Sequence, residues 1–209
     1  MDFNGEFETH LTVSTEPSTE MLRAWTESRN IKFSHILLDA GKTPSQPMLT
    51  LQSMGTLGEA RTIAHALAAD LAAAGFAVLR TKIEASPHNK GIPRTTQGIE
   101  QIPPFAHFEH HVKVLLSRDA DVTALRAFAG DYGGYLSLNA RRTRDGGTHE
   151  RFITQRCYGI PMPEARRRLA RLLRALRTQP LRLLEVEQEY VVYDSNVSLD
   201  RGWMPEVNP

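Results

Sequence analysis

"FETHLTV", Phe7 to Val13, returns in altered form as "FEHHVKV", Phe108 to Val114, 101 residues further on. Each stretch alternates apolar and polar residues, the period-two pattern of a strand with one buried face. In the first, Phe7, Leu11 and Val13 share a face with Thr9, which leaves Glu8, His10 and Thr12 on the other. In the second, Phe108, Val112 and Val114 lie with His110, and Glu109, His111 and Lys113 lie opposite. A Glu-x-His pair therefore stands at the same place on two strands.

Outward from these strands the same order of elements follows twice. After the first comes "PSTEMLRAWTESRN", with Leu22 and Trp25 at helical spacing, then two strand-like runs, "KFSHILLD" and "MLTLQSMG". "TLGEARTIAHALAADLAAAG" reads as a helix with Thr56 and Glu59 spaced as a capping box and Ile63, Leu67 and Leu71 as its apolar stripe. "FAVLRTKIEAS" closes the unit as a strand. The second half gives a helix over "DADVTALRAFAGDYGG" and a hairpin from "YLSLNAR" to "RFITQRCYG", with Asp145-Gly146 as its turn signal. The helix "PEARRRLARLLRALRTQ" and the strand "LRLLEVEQEYVVYD" follow. Strand–helix–strand–strand–helix–strand is the ferredoxin-like order. The fold class expected is α+β, a tandem duplication of this βαββαβ unit with two four-stranded antiparallel sheets and helices on one face of each. Residues 1–86 form the first repeat, 87–106 a Pro- and Gly-rich connector or flap, and 107–209 the second repeat with a C-terminal tail.

Composition narrows the class. The 209 residues carry a formal net charge of +1, which excludes a strong global field for nucleic acid or membranes. Cys157 is the only cysteine, so no internal disulfide forms, and with no secretory pattern in "MDFNGEF" a cytoplasmic protein is expected. The longest apolar stretch is Ala-rich and interrupted by His65 and Asp70, so no membrane partner is expected.

Parity assigns other side chains to the polar faces. "LRTKIEA" places Arg80, Lys82 and Glu84 together, and "LEVEQEY" places Glu185, Glu187 and Glu189 together. Thr154 and Arg156 occupy the places of Thr50 and Gln52. The first strand of a ferredoxin-like unit is central, so these groups crowd around His10 and His111. If the two polar faces converge, the resulting cleft contains Glu8, His10, Thr12, Lys82 and Glu84 from one half. Glu109, His111, Lys113, Arg156, Glu187 and Glu189 come from the other, and all would perturb one another's ionisation.

"HLTV" at His10–Val13 resembles the His-hydrophobic-Thr-hydrophobic signature of the two-histidine phosphoesterase superfamily, whose two pseudo-symmetric lobes each bring one histidine to a shared cleft. The resemblance covers His10 and Thr12 in the first lobe and His111 in the second, with Lys113 where the family has a hydroxyl residue. It implies acid–base cleavage of a phosphoester or cyclic phosphate, with His10 and His111 as catalytic pair and no cofactor. Thr12, Lys113 and Arg156 would hold a small phosphorylated ligand or nucleotide. Two alternatives stand beside it. His10, His111, Glu84 and Glu189 match the ligand types of one divalent metal ion. The arginine-rich helix from Arg166 to Arg177 could instead meet nucleic acid, as part of a binding module without catalysis.

Overall fold

The computed structural model describes residues 2–139 and 147–204. The first repeat runs β1 (Asn4–Val13), α1 (Thr19–Glu27), β2 (Lys32–Leu38), β3 (Ser45–Thr56), α2 (Leu57–Ala73) and β4 (Val78–Ala85). A short helix, α3 (Thr96–Ile99), lies between the repeats. The second runs β5 (His107–Leu116), α4 (Val122–Gly130), β6 (Gly134–Asn139), β7 (His149–Tyr158), α5 (Met162–Leu176) and β8 (Arg182–Asp194). The chain is thus a duplicated ferredoxin-like unit. The turn expected at Asp145-Gly146 lies outside the described residues.

Each repeat forms a four-stranded antiparallel sheet with β1 or β5 central. The two sheets are joined at both edges, β2 to β6 and β4 to β8, and the eight strands close into one barrel in the order β1-β3-β2-β6-β7-β5-β8-β4. Closure has a simple cause. An isolated sheet of this order leaves β2 and β4 with unpaired backbone groups along their outer edges. Pairing them with the second repeat satisfies those groups and leaves an eight-stranded ring, a size filled by side chains or one small ligand.

The apolar faces look outward, under the helices. Leu11, Leu22, Leu49, Leu67, Leu71 and Phe76 form one core beneath α1 and α2, and Val112, Val114, Ile153, Leu169, Leu172 and Leu176 form another beneath α4 and α5. Each fully buried side chain of this kind contributes roughly 1.5–3 kcal/mol. Thr56 and Glu59 make the expected capping box of α2, with the Glu59 backbone N–H donating to Thr56 Oγ1 at 3.2 Å. Its buried stripe, however, is Ala60, Ala64, Leu67 and Leu71, while Ile63 faces solvent. Small residues let this helix lie close against the sheet. The connector packs too. Ile92 and Ala106 join the core, and Asn89 accepts from the Glu6 backbone N–H while donating to its carbonyl.

With the apolar faces outside, the alternation of every strand sends Glu, His, Lys and Arg inward. The tail then folds over one end of the barrel. A 3-10 turn, Val197–Asp200, inserts Asp200, and Trp203 donates its indole N–H to the Leu136 carbonyl at 2.8 Å. No helix among the described residues is long and apolar enough to cross a membrane.

Candidate functional site in the barrel

The central strands set the geometry. On β1, His10 lies opposite Thr50 of β3 and Lys82 of β4, and on β5, His111 lies opposite Thr154 of β7 and Glu187 of β8. Each imidazole meets a threonine of the neighbouring strand and a carboxylate, which for His10 comes from β4 and for His111 from its own strand β5. His10 Nδ1 is 3.0 Å from Thr50 Oγ1 and its Nε2 is 2.7 Å from Glu84. His111 Nδ1 is 3.0 Å from Thr154 Oγ1 and its Nε2 is 3.1 Å from Glu109. A carboxylate only accepts, so the facing nitrogen must carry a proton. In the neutral ring the other nitrogen then accepts from the threonine hydroxyl. The fold therefore contains two hydroxyl–imidazole–carboxylate relays, one per repeat.

Lys82 links them. Its Nζ lies 2.6 Å from Glu84 and 2.7 Å from Glu109, so a continuous chain runs His10–Glu84–Lys82–Glu109–His111. Arg156 pairs with Glu109 and, at 2.7 Å, with Asp200. Arg80 holds Asp194 at 2.5 Å and Asp200 at 2.8 Å. Burial alone would raise the Glu84 carboxyl, but Lys82 and His10 outweigh it and hold it well below the usual carboxylate range. Burial is likewise overcome at Glu109 by Arg156 and Lys82, and at Asp200 by Arg80 and Arg156. Glu189 is the opposite case. Burial, reinforced by the charges of Glu84, Glu8 and Glu109, pushes its carboxyl well above the usual range.

These groups enclose a cavity of about 280 Å³. Glu8, His10 and Thr12 line it from β1, Lys82 from β4, and Glu109, His111 and Lys113 from β5. Arg156, Glu187 and Glu189 complete that set, while Glu84 sits behind His10 and lines the adjoining mouth. The structure thus brings the expected polar residues to one interior. Lys113, expected to hold a phosphate, lies 3.4 Å from Glu150 and 3.7 Å from Glu185. The sequence places Asp194 at the end of the last strand and Trp203 as packing the tail onto the body, and both hold, but it does not bring either of them or Asp200 to this interior. His107, not among the residues expected at the site, also reaches it, with its Nε2 3.1 Å from Glu109. The parity of His107, Glu109 and His111 was the available signal. His110 points to the outer core, where its Nδ1 is 3.0 Å from the Gln155 side-chain oxygen.

No protein-family model and no curated protein matches the chain. Solved structures that match it are chlorite dismutases from Candidatus Nitrospira defluvii. An arginine-to-glutamate variant is 14% identical over 94% of this chain and 93% of that one, with a TM-score of 0.30. An arginine-to-alanine variant is 13% identical over the same shares, with a TM-score of 0.28. A double variant is 13% identical over 90% of this chain and 92% of that one, with a TM-score of 0.29. Likeness at this level assigns no activity to the chain.

The resemblance to two-histidine phosphoesterases is corrected by the geometry of the interior. Inside the barrel both ring nitrogens of each imidazole already have partners. Lys82, Arg156 and Lys113 are already paired with carboxylates, which leaves a phosphate no unshared cation. Phosphoester cleavage is withdrawn, and the metal-enzyme and nucleic-acid alternatives find no support in the comparisons either. The expectation of no cofactor belonged to that reaction and is withdrawn with it. Glu84, His111 and Glu189 do offer ligand atoms within 4.8 Å of one another. Both Glu84 oxygens, however, are held by Lys82 and His10. A haem would need an axial donor atom with a free lone pair; His10 and His111 offer none, and the cavity is at the small end of ligand pockets.

Proposed function

We propose that the barrel is a small-molecule site in which the two relays move protons to and from the bound ligand. The observation that supports this is the repeated Thr–His–Glu chain, Thr50–His10–Glu84 and Thr154–His111–Glu109, opening on one interior cavity. A hydroxyl held against an imidazole that is itself held by a carboxylate can give up its proton and take it back. This is the arrangement that activated hydroxyls share across unrelated folds. Glu189, whose carboxyl burial pushes well above the usual carboxylate range, lies 3.7 Å from His111.

A ligand screen by saturation-transfer NMR tests this reading on the full chain. Ligands of the interior are expected to compete for one site and to lose binding in Ser34→Trp, whose indole would fill the cavity from β2. Ligands that bind Ser34→Trp as well as the natural chain would place binding elsewhere and contradict the proposal.

A further inference from the structure

The apolar lining of the cavity gathers on one side of the ring, although Lys32 of β2 and Arg156 of β7 also stand there. In the strand order, the β2–β6 seam stands across from the β4–β8 seam. Ile36, Leu38, Met48, Phe152 and Trp203 line the cavity on or beside the first seam. The second seam carries the ionic groups, and here the repeats have diverged. The registers make Lys82 the counterpart of Glu187 and Arg80 the counterpart of Glu185, so β4 presents cations where β8 presents carboxylates.

The two signs are not equally available. Arg80, Lys82 and Arg156 each meet two carboxylates. Glu187 has no cation within ion-pair distance among the described residues, and it is exposed. Among the described residues Glu8 meets Lys32 at 3.7 Å and His10 at 3.5 Å, and it accepts from the Gln52 amide at 3.3 Å, so no cation holds it closely. The ends of the barrel differ in the same way. Asp200 and Trp203 close the end that holds Arg80 and Arg156. The other end opens into a mouth of about 610 Å³ lined by five acidic side chains, Glu6, Glu8, Glu84, Glu187 and Glu189, and by no lysine or arginine among the described residues. Glu8, Glu187 and Glu189 belong to mouth and cavity alike.

We propose that the ligand is a small organic amine with an apolar body, entering as an ammonium ion through the acidic mouth. The ammonium would rest between Glu8 and Glu187, with the apolar body toward Met48 and Phe152. This inference rests on the barrel being a small-molecule site and names the ligand class for it. A carboxylate of the same shape would meet cations that already face carboxylates, Lys32 being the most loosely held at 3.7 Å from Glu8, and burying an unpaired charge is strongly unfavourable. An amine meets carboxylates that lack full partners, in a mouth whose field draws it in.

Calorimetric titration of the full chain with phenethylamine, N-acetylphenethylamine and 3-phenylpropionate separates the possibilities. Phenethylamine is expected to bind and the other two to bind at least about tenfold more weakly, the worth of one charged hydrogen bond. Glu187→Gln and Glu8→Gln, both at solvent-reached positions, are each expected to weaken the amine by about tenfold. Equal binding of all three compounds, or tighter binding of the carboxylate, would overturn the amine assignment and leave the barrel site standing. Binding of none of them would overturn both. Amine binding unchanged in both variants would overturn the placement of the ammonium.

Discussion

Lys82 and Glu109 come from different repeats and meet at 2.7 Å inside the barrel. This pair, with Glu84 on the other side of Lys82, ties the two sheets together through a charge that water barely reaches. Pairing two buried ions gains little over a well-packed apolar pair, but removing one partner strands the other.

Lys82→Met should therefore destabilise the chain by about 3–5 kcal/mol, because Glu84 and Glu109 lose their shared cation. Lys82→Met combined with Glu109→Gln should recover part of that loss. Urea unfolding of the three chains measures it, and a Lys82→Met chain as stable as the natural one would show that the pair does not couple the repeats.

The stability of the barrel should fall on both sides of neutrality for opposite reasons. Glu84, Glu109 and Asp200 are held below the ordinary carboxylate values of 4.5, 4.5 and 3.8, so their stabilisation is present above those values. It is lost as pH falls through the lower folded values. Glu189 titrates well above 4.5, so its contribution is full below that value and is lost as pH rises through the raised one. Glu189→Gln should accordingly flatten the alkaline decline in melting temperature and leave the acid limb unchanged. An identical alkaline limb in both chains would contradict the assignment.

Asp200 accepts from both Arg80 and Arg156. Asp200→Asn should cost about 1.5–3 kcal/mol, the range for hydrogen bonds to charged groups. Added sulfate should restore part of the melting temperature by supplying an anion to the two guanidinium groups, more than in the natural chain. No loss in Asp200→Asn would mean that the tail is not held by its charge.

Cys157 is buried, and burial pushes its thiol up to about 11. Native protein at pH 8 should leave a thiol-reactive disulfide reagent unreacted until denaturant is added. Rapid native labelling would show that the β7–α5 core opens readily.

Strand parity made much of this legible from sequence. A period of two admits only two faces, so Phe7, Leu11 and Val13 on one side put Glu8, His10 and Thr12 on the other without any knowledge of the partner strands. The same rule aligned Lys82 with Glu84 and Glu187 with Glu189. What parity could not show was closure. The pairings Leu37 to Leu138 and Lys82 to Asp194 join edges about 100 residues apart and leave no local pattern. They turn two polar sheet faces into one enclosed interior. The tail was illegible for a similar reason, since Asp200 and Trp203 sit in a short turn whose role depends on the two arginines it meets. The "HLTV" motif misled because strand alternation with a β-branched residue produces such a four-residue pattern readily. The partners that define its chemistry, Thr50 and Glu84, lie on neighbouring strands.

The most direct test of the shared interior follows the side-chain nitrogens of His10 and His111 by NMR while phenethylamine is added to the full chain. Both imidazoles are predicted to shift together along a single binding curve, and neither should shift in Ser34→Trp. Movement of one ring alone, or of neither while the amine still binds, would contradict a common cavity served by both repeats.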